Sequence, residues 1–162
     1  MNAAATVFYT SSVLITSSLG DFVELRVDGY QYGKSPSAPV GGWDENWLMI
    51  AGRIRRGPES WVFREPCLTT WEAQDLLRWL RRAVDANPEP VDFTEPHLSF
   101  EATSHGGSHT TVVTFRGEAA PPSTSDEDRW DVGCGLTLDL REDSLAAAAD
   151  AWEREIAAYP PR

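Results

Sequence analysis

The sequence is poor in the residue types on which much protein chemistry depends. Its 162 residues include two cysteines, three histidines and one lysine among fourteen basic residues. Isolated cysteines are typical of a reducing compartment, although the sequence alone leaves a disulfide between Cys67 and Cys134 as an alternative. No C-x-x-C pair, G-x-S-x-G elbow, H-E-x-x-H motif or phosphate-binding glycine loop is present. The sequence therefore predicts no cofactor and no catalytic centre.

A long apolar run is also missing. The first twenty residues contain no Lys or Arg, and Ser and Thr residues interrupt their apolar positions. Neither an export signal nor a transmembrane span is therefore predicted. The apolar fraction of 41% and the charged fraction of 24% are those of a soluble globular protein. We expect a single cytoplasmic domain over residues 1–162.

Positive charge is scarce in one half of the chain. Through Arg82 there are nine basic and nine acidic residues, whereas from Ala83 onward there are five basic and sixteen acidic residues. The whole net charge of −11 therefore belongs to the second half. Such a distribution disfavours nucleic acid and anionic membranes as partners. It permits a basic partner protein, with simple solubility as the alternative explanation.

The patterning of apolar residues predicts an α+β fold. Alternation indicates strands in segments 12–18, 22–32, 46–56, 61–65, 91–102, 110–116 and 134–140. Thr69 and Glu72 fit a capping box at the start of a helix, and Asp143 or Ser144 can cap a second helix near the end of the chain. The order is β-β-β-β-α-β-β-β-α. We expect mainly antiparallel β structure of about seven strands, as a curled sheet or two-layer sandwich with two helices.

Two groups of residues offer candidate chemistry, each with a simpler explanation. His97, His105 and His109, with nearby carboxylates, could line a metal-dependent hydrolytic or small-molecule site on adjacent strands. However, His105 and His109 flank a Gly-Gly turn, where polar residues are common. Cys67 precedes a helix N-terminus, which can activate a thiol, but no base lies near it in sequence. A packing role is the alternative.

The segment from Glu118 to Asp131 is rich in proline and acidic residues, and we expect a mobile loop there. Exposed tryptophan beside carboxylates suits a protein interface. The candidate contact residues are Asp126, Glu127, Asp128, Trp130 and Asp131 in this loop, with Trp43 and Trp47 at a strand entrance. The alternative is that each tryptophan anchors its own loop to the core.

Several short stretches resemble the WapI-type family of bacterial immunity proteins. They are GYQY at 29–32, DENWL at 44–48, the EPCL-x-T-x-E-x6-WL run from Glu65 to Leu80, and FTEPHLSF at 93–100. The resemblance implies a non-enzymatic protein that protects a cell by binding the nuclease domain of a toxin. It supplies no site residues. With the charge distribution, it favours a basic toxin domain as partner. The oligomeric state is left open.

Overall fold

The computed structural model of the protein describes residues 12–141 and 143–162. Two antiparallel sheets of four strands have the orders β1-β2-β3-β4 and β5-β6-β7-β8. The strands are β1 (Val13–Thr16), β2 (Phe22–Tyr30), β3 (Trp47–Arg56), β4 (Glu59–Thr69), β5 (Val91–Asp92), β6 (Leu98–His105), β7 (Ser108–Phe115) and β8 (Cys134–Leu140). The helices are α1 (Thr70–Asp85), α2 (Asp128–Asp131) and α3 (Ser144–Ile156).

The predicted α+β class with mainly antiparallel strands is confirmed. Two details differ from the prediction. Val91–Asp92 pairs with β6 as a short strand of its own, which brings the described strands to eight. The short helix α2 lies in the segment that was predicted to be a loop. Most of the prediction about an export signal concerns residues 1–11, which lie outside the described residues.

The first sheet follows directly from the alternating pattern of its strands. Val23, Leu25 and Val27 point into the core, and their neighbours on β2 are half-buried. The pairing of β2 with β3 shifts register between Val27 and Tyr30. Gly29 lies in this irregularity with a φ of 120°, a conformation that favours glycine. Gly29 therefore marks a bulge in this strand.

Helix α1 begins at the predicted capping box. The Thr69 hydroxyl accepts a hydrogen bond from the Glu72 amide at 3.2 Å, and the Glu72 carboxylate accepts one from the Thr69 amide at 2.9 Å. These bonds satisfy two backbone donors that a helix N-terminus leaves free. The buried face of α1 carries Leu76, Trp79 and Leu80, which fix the helix against the core.

Helix α3 packs against the first sheet. The Trp152 indole donates to the Ala73 carbonyl of α1 at 2.8 Å. The buried Glu155 carboxylate accepts a hydrogen bond of 2.7 Å from the Val27 amide, next to the irregularity in β2. At the interface of the two sheets, Trp61 of β4 meets Phe115 of β7 edge to face, with centroids 5.5 Å apart. One cluster of buried apolar side chains thus includes residues from both sheets and both long helices.

Asn46 joins three distant parts of the chain, and its side chain is fully buried. Its amide nitrogen donates to the carbonyls of Gly42 (2.8 Å) and Arg162 (3.1 Å). Its oxygen accepts from the Thr70 hydroxyl and the Arg162 amide, both at 2.9 Å. Every hydrogen-bonding position of this amide is therefore used, which fixes the loop before β3 to α1 and to residue 162.

The strands of the two sheets differ in charge. Those of the first sheet contain five arginines and four carboxylates. Several of these form ion pairs, which join Arg53 of β3 to Glu24 of β2 at 2.6 Å, Arg64 of β4 to Asp28 of β2, and Arg26 to Asp28 within β2 at 3.2 Å. The strands of the second sheet contain three exposed acids, Asp92, Glu101 and Asp139, and no Lys or Arg.

Candidate functional site

The acidic loop, residues 118–131, is organised around its single arginine. The Arg129 guanidinium donates to four backbone carbonyls, those of Gly117 (3.0 Å), Ala120 (3.3 Å), Pro121 (3.4 Å) and Thr124 (3.1 Å). The Trp61 indole of β4 donates to the Ala119 carbonyl at 3.0 Å. The loop is therefore held by hydrogen bonds to its own backbone and to the first sheet, and its expected mobility stays a prediction.

Trp130 lies against the body of the protein and is still 46% exposed. Its ring packs on His97, with centroids 5.6 Å apart. It also covers Gly117 so closely that a Cβ atom at this position would collide with the ring. Gly117 has a φ of 56°, so two independent constraints favour glycine there. Trp130 thus anchors the loop and also presents a large aromatic surface, which combines both explanations considered from the sequence.

His97 contacts the acidic loop from the interior of the protein. It is buried, and its Nε2 lies 3.0 Å from a carboxylate oxygen of Glu118. The pKa of Glu118 is lowered, first by a hydrogen bond to its own backbone amide and then by His97. The other ring nitrogen, Nδ1, is buried without a hydrogen-bond partner in the part of the chain that the structure describes. His97 is therefore a structural neighbour of the acidic loop. The sequence had instead suggested His97 as a candidate for a metal-dependent or small-molecule site.

The remaining candidate residues of the loop are its carboxylates, and all of them are exposed. Asp126, Glu127, Asp128 and Asp131 surround the short helix α2. Asp128 accepts a hydrogen bond from the Ser125 hydroxyl at 2.9 Å, which organises the first turn. Asp126 lies 3.9 Å from Arg129, a distance that contributes little at a fully exposed position. The structure therefore brings the five predicted loop residues together on one short segment.

Trp43 and Trp47 belong to a second aromatic cluster, in front of β3. Trp43 is 56% exposed, and its ring centroid lies 6.3 Å from that of Trp47 and 5.5 Å from that of Trp71. Trp47 and Trp71 are half-buried. Sequence reasoning did not connect Trp71 with this group, because its place in the helix pattern only indicated a core or half-core residue.

A surface pocket of about 360 Å³ lies beside this cluster. Its lining residues are Tyr32, Gly33, Ser35, Ala38, Asp44 and Glu45. Sequence reasoning missed this pocket, because it forms only when the loop after β2 folds back on the 3-10 turn Asp44–Asn46. Ser35 is fixed by a hydrogen bond of 2.8 Å from its amide to the Glu45 carboxylate.

The three histidines do not form one site, so the alternative based on His97, His105 and His109 is wrong in its geometry. His97 precedes β6, and His105 ends the same strand. Eight residues of extended chain separate them, a span of about 26 Å at the usual rise of a strand. His109 lies near His105 at the far end of the sheet. No group of three His, Cys, Asp or Glu residues suited to a metal ion occurs in residues 12–141 and 143–162.

The cysteines have packing roles. Both are free and buried. Burial raises the pKa of the Cys67 thiol, and nearby carboxylates raise it further, so this thiol is a poor nucleophile despite its place before α1. The pKa of Cys134 is also raised by burial, although its sulfur accepts a hydrogen bond of 2.7 Å from Arg56. The explanation of Cys67 as a buried packing residue fits this environment.

These features define an antiparallel α+β protein in which every predicted contact residue except the half-buried Trp47 is exposed. None of the described helices is long and apolar enough to cross a membrane. The chain belongs to the immunity protein WapI-like family, whose model matches residues 14–160. The match extends the resemblance seen in short stretches to nearly the whole chain, including the acidic loop and α3. Comparisons with curated proteins and with solved structures gave no match.

Proposed function

We propose that the protein is a non-enzymatic, cytoplasmic immunity protein that acts as a single domain and neutralises a basic nuclease toxin by direct binding. The acidic loop is the main contact surface, with Asp126, Glu127, Asp128, Trp130 and Asp131 as contact residues. Trp43 and Trp47 belong to a second contact. Family membership supports the immunity role, and the charge of the loop supports a basic partner.

The observation that carries the proposal is that the Arg129 side chain bonds to the backbone of its own loop. Its four hydrogen bonds to backbone carbonyls hold the only basic side chain of the loop inward, while the carboxylates stay outside. A surface that is ordered before binding loses less conformational entropy on association. The negative surface attracts a basic domain over a distance, which raises the association rate at low salt.

Trp130 supplies the apolar part of the contact. Binding energy in protein interfaces is concentrated in a few aromatic and arginine residues surrounded by groups that exclude water. Trp130 is held on His97 and remains nearly half exposed, so little side-chain freedom is lost when a partner covers it. The carboxylates would thus set the rate of capture, and Trp130 the lifetime of the complex.

The test is a titration with the toxin nuclease domain encoded next to this protein, since immunity proteins are usually encoded beside their toxins. Association rates and nuclease inhibition are measured at low and at physiological salt. We expect Asp126→Asn/Glu127→Gln to slow association about tenfold at low salt and to flatten its salt dependence. Trp130→Ala should instead speed dissociation.

The matched control is Asp85→Asn/Glu89→Gln, which removes the same charge from exposed positions outside the loop. Equal losses in both double variants would show that only total charge matters. A wild-type protein that neither binds nor inhibits the nuclease at low salt would refute the proposed function.

A further inference from the structure

We propose that the pocket formed by Tyr32, Ser35, Asp44 and Glu45 binds the guanidinium group of an arginine side chain on the protein partner. This inference deepens the proposed function, and it rests on that function only for the partner being a basic protein. The pocket shares no residue with the acidic loop. Arginine binding at the pocket can therefore be tested independently of partner binding at the loop.

The first reason is the environment of the Glu45 carboxylate. The residue is only 6% exposed, and it lines the pocket. One of its oxygens accepts the hydrogen bond from the Ser35 amide. Within the described parts of the chain, no basic side chain lies within ion-pair distance of Glu45 or of Asp44. A nearly buried carboxylate has room for further donors and is strongly stabilised by a cation.

The arrangement of the other walls selects arginine. Asp44 adds a second carboxylate, and a planar guanidinium can donate to two carboxylate oxygens at once. The exposed Tyr32 adds an aromatic ring, on which guanidinium groups stack more readily than ammonium groups. The volume of about 360 Å³ lies within the range of pockets that hold small ligands.

The protein already uses this chemistry next to the pocket. The Arg162 guanidinium lies over the Tyr30 ring, 3.4 Å from its centroid, and donates to the Tyr32 carbonyl at 3.5 Å. Arg162 is thereby engaged on the neighbouring ring and makes no ion pair with Asp44 or Glu45 within 4.0 Å in the described residues. The partner's arginine would occupy the equivalent position against Tyr32.

Trp43 makes the pocket suitable for a protein rather than for free arginine. It directly precedes Asp44, is more than half exposed and rests on Trp47 and Trp71. An apolar residue beside a charged pocket excludes water when a protein surface covers both, and this strengthens the enclosed ion pair. A small ligand would leave Trp43 exposed.

The test uses acetylated and amidated Gly-Arg-Gly, with the citrulline peptide as its neutral isostere, followed by amide chemical shifts. We expect saturable shifts at Gly33 and Ser35 with the arginine peptide and none with the citrulline peptide. Asp44→Asn/Glu45→Gln should weaken binding about tenfold, since hydrogen bonds to charged groups are lost while the Ser35 amide keeps its acceptor. Lys34→Gln should strengthen binding, because an exposed positive charge next to the pocket is removed.

The control is Asp126→Asn/Glu127→Gln, which should leave peptide binding at the pocket unchanged. Shifts confined to the acidic loop, equal responses to both peptides, or unchanged affinity in Asp44→Asn/Glu45→Gln would overturn the inference. None of these results touches the proposed function, which is tested by the nuclease titration. Conversely, selective arginine binding at the pocket would stand even if that nuclease were not bound.

Discussion

The two sheets of this protein have the same number of strands and the same antiparallel pairing, but they differ in how their charges are used. In the first sheet, arginines and carboxylates neutralise one another, both within β2 and between different strands. In the second sheet the strands carry only acids, and the acidic loop continues this excess next to β7. Charges that pair internally contribute little to a long-range field, whereas unpaired charges of one sign create one.

The difference indicates a division of work within one hydrophobic core. The first sheet, its helices and the turn before β3 contain the buried polar residues Asn46, Thr69 and Glu155, each of which joins separate parts of the fold. The second half contains the acidic loop, which is the main surface proposed to contact the partner. Substitutions of the buried polar groups of the first region should therefore lower the free energy of unfolding, and substitutions of the exposed carboxylates of the acidic loop should change binding. Four predictions test this division, in decreasing order of their expected effect on stability.

The largest loss of stability is expected for Asn46→Ala. The change leaves groups of Gly42, Thr70 and Arg162 without their partner at a fully buried position. Unsatisfied buried groups cost about 1–3 kcal/mol each, and we expect a total near 3 kcal/mol after relaxation. Urea unfolding followed by tryptophan fluorescence measures it. Asn87→Ala is the control, because Asn87 makes two similar bonds to Ser104 at an exposed position and should cost less than about 1 kcal/mol.

The next loss is expected for Gly117→Ala, which forces a Cβ atom into the Trp130 ring at a left-handed backbone position. We expect about 2 kcal/mol of destabilisation, together with a changed near-UV signal from Trp130. Gly106→Ala isolates the collision, because Gly106 has nearly the same φ, 58° against 56°, but open space around it. Equal losses for both variants would show that Trp130 does not hold the loop.

The third prediction concerns pH and the buried Cys67. Its folded pKa is raised by burial above the unfolded value of 9.0, so the folded state holds its proton more tightly. The resulting stability is fully present below pH 9 and is lost as pH rises above it, by about 1.4 kcal/mol per pH unit. Unfolding between pH 8 and pH 10 measures this loss. In Cys67→Ala this loss of stability should be smaller. An unchanged slope of unfolding free energy against pH would contradict its assignment to the Cys67 thiol.

The smallest effect on stability is expected in the acidic loop itself. Asp126→Asn/Glu127→Gln changes two exposed carboxylates and should alter the free energy of unfolding by less than about 0.5 kcal/mol. The same variant is expected to have a large effect on the association rate with the proposed nuclease partner. Loss of stability comparable to that of Asn46→Ala would mean that the loop is part of the scaffold, and the contrast between the two regions would fail.

Most of the fold is readable in the sequence because it depends on local patterns. The alternation in β2, the capping box at Thr69 and the irregularity at Gly29 are each encoded within a few neighbouring residues. The family resemblance in the run from Glu65 to Leu80 gave the same family that the full match supports. The separate strand at Val91 was harder to resolve, because two residues carry almost no periodic signal.

The candidate sites were less predictable, because long-range contacts decide them. An arginine in an acidic run reads as a solvated charge, and only the folded loop shows that Arg129 faces four carbonyls. The histidines looked like neighbours because adjacent strands were expected to bring them together. The length of β6 instead places His97 and His105 at opposite ends. The pocket at Glu45 depends on a loop of irregular structure, which periodicity cannot place.

The hydrogen bond between Val27 and Glu155 has a consequence for the order of events in folding. It joins residues 128 positions apart, so β2 acquires this partner only after the chain has been synthesised through Glu155. Contacts of such sequence separation slow folding, because the intervening chain must be ordered before they form. Until α3 arrives, the inward face of β2 lacks part of its cover and is open to misassociation. Protection by a newly made molecule would therefore begin with a delay set by folding, and rapid protection of a cell would depend on molecules completed beforehand.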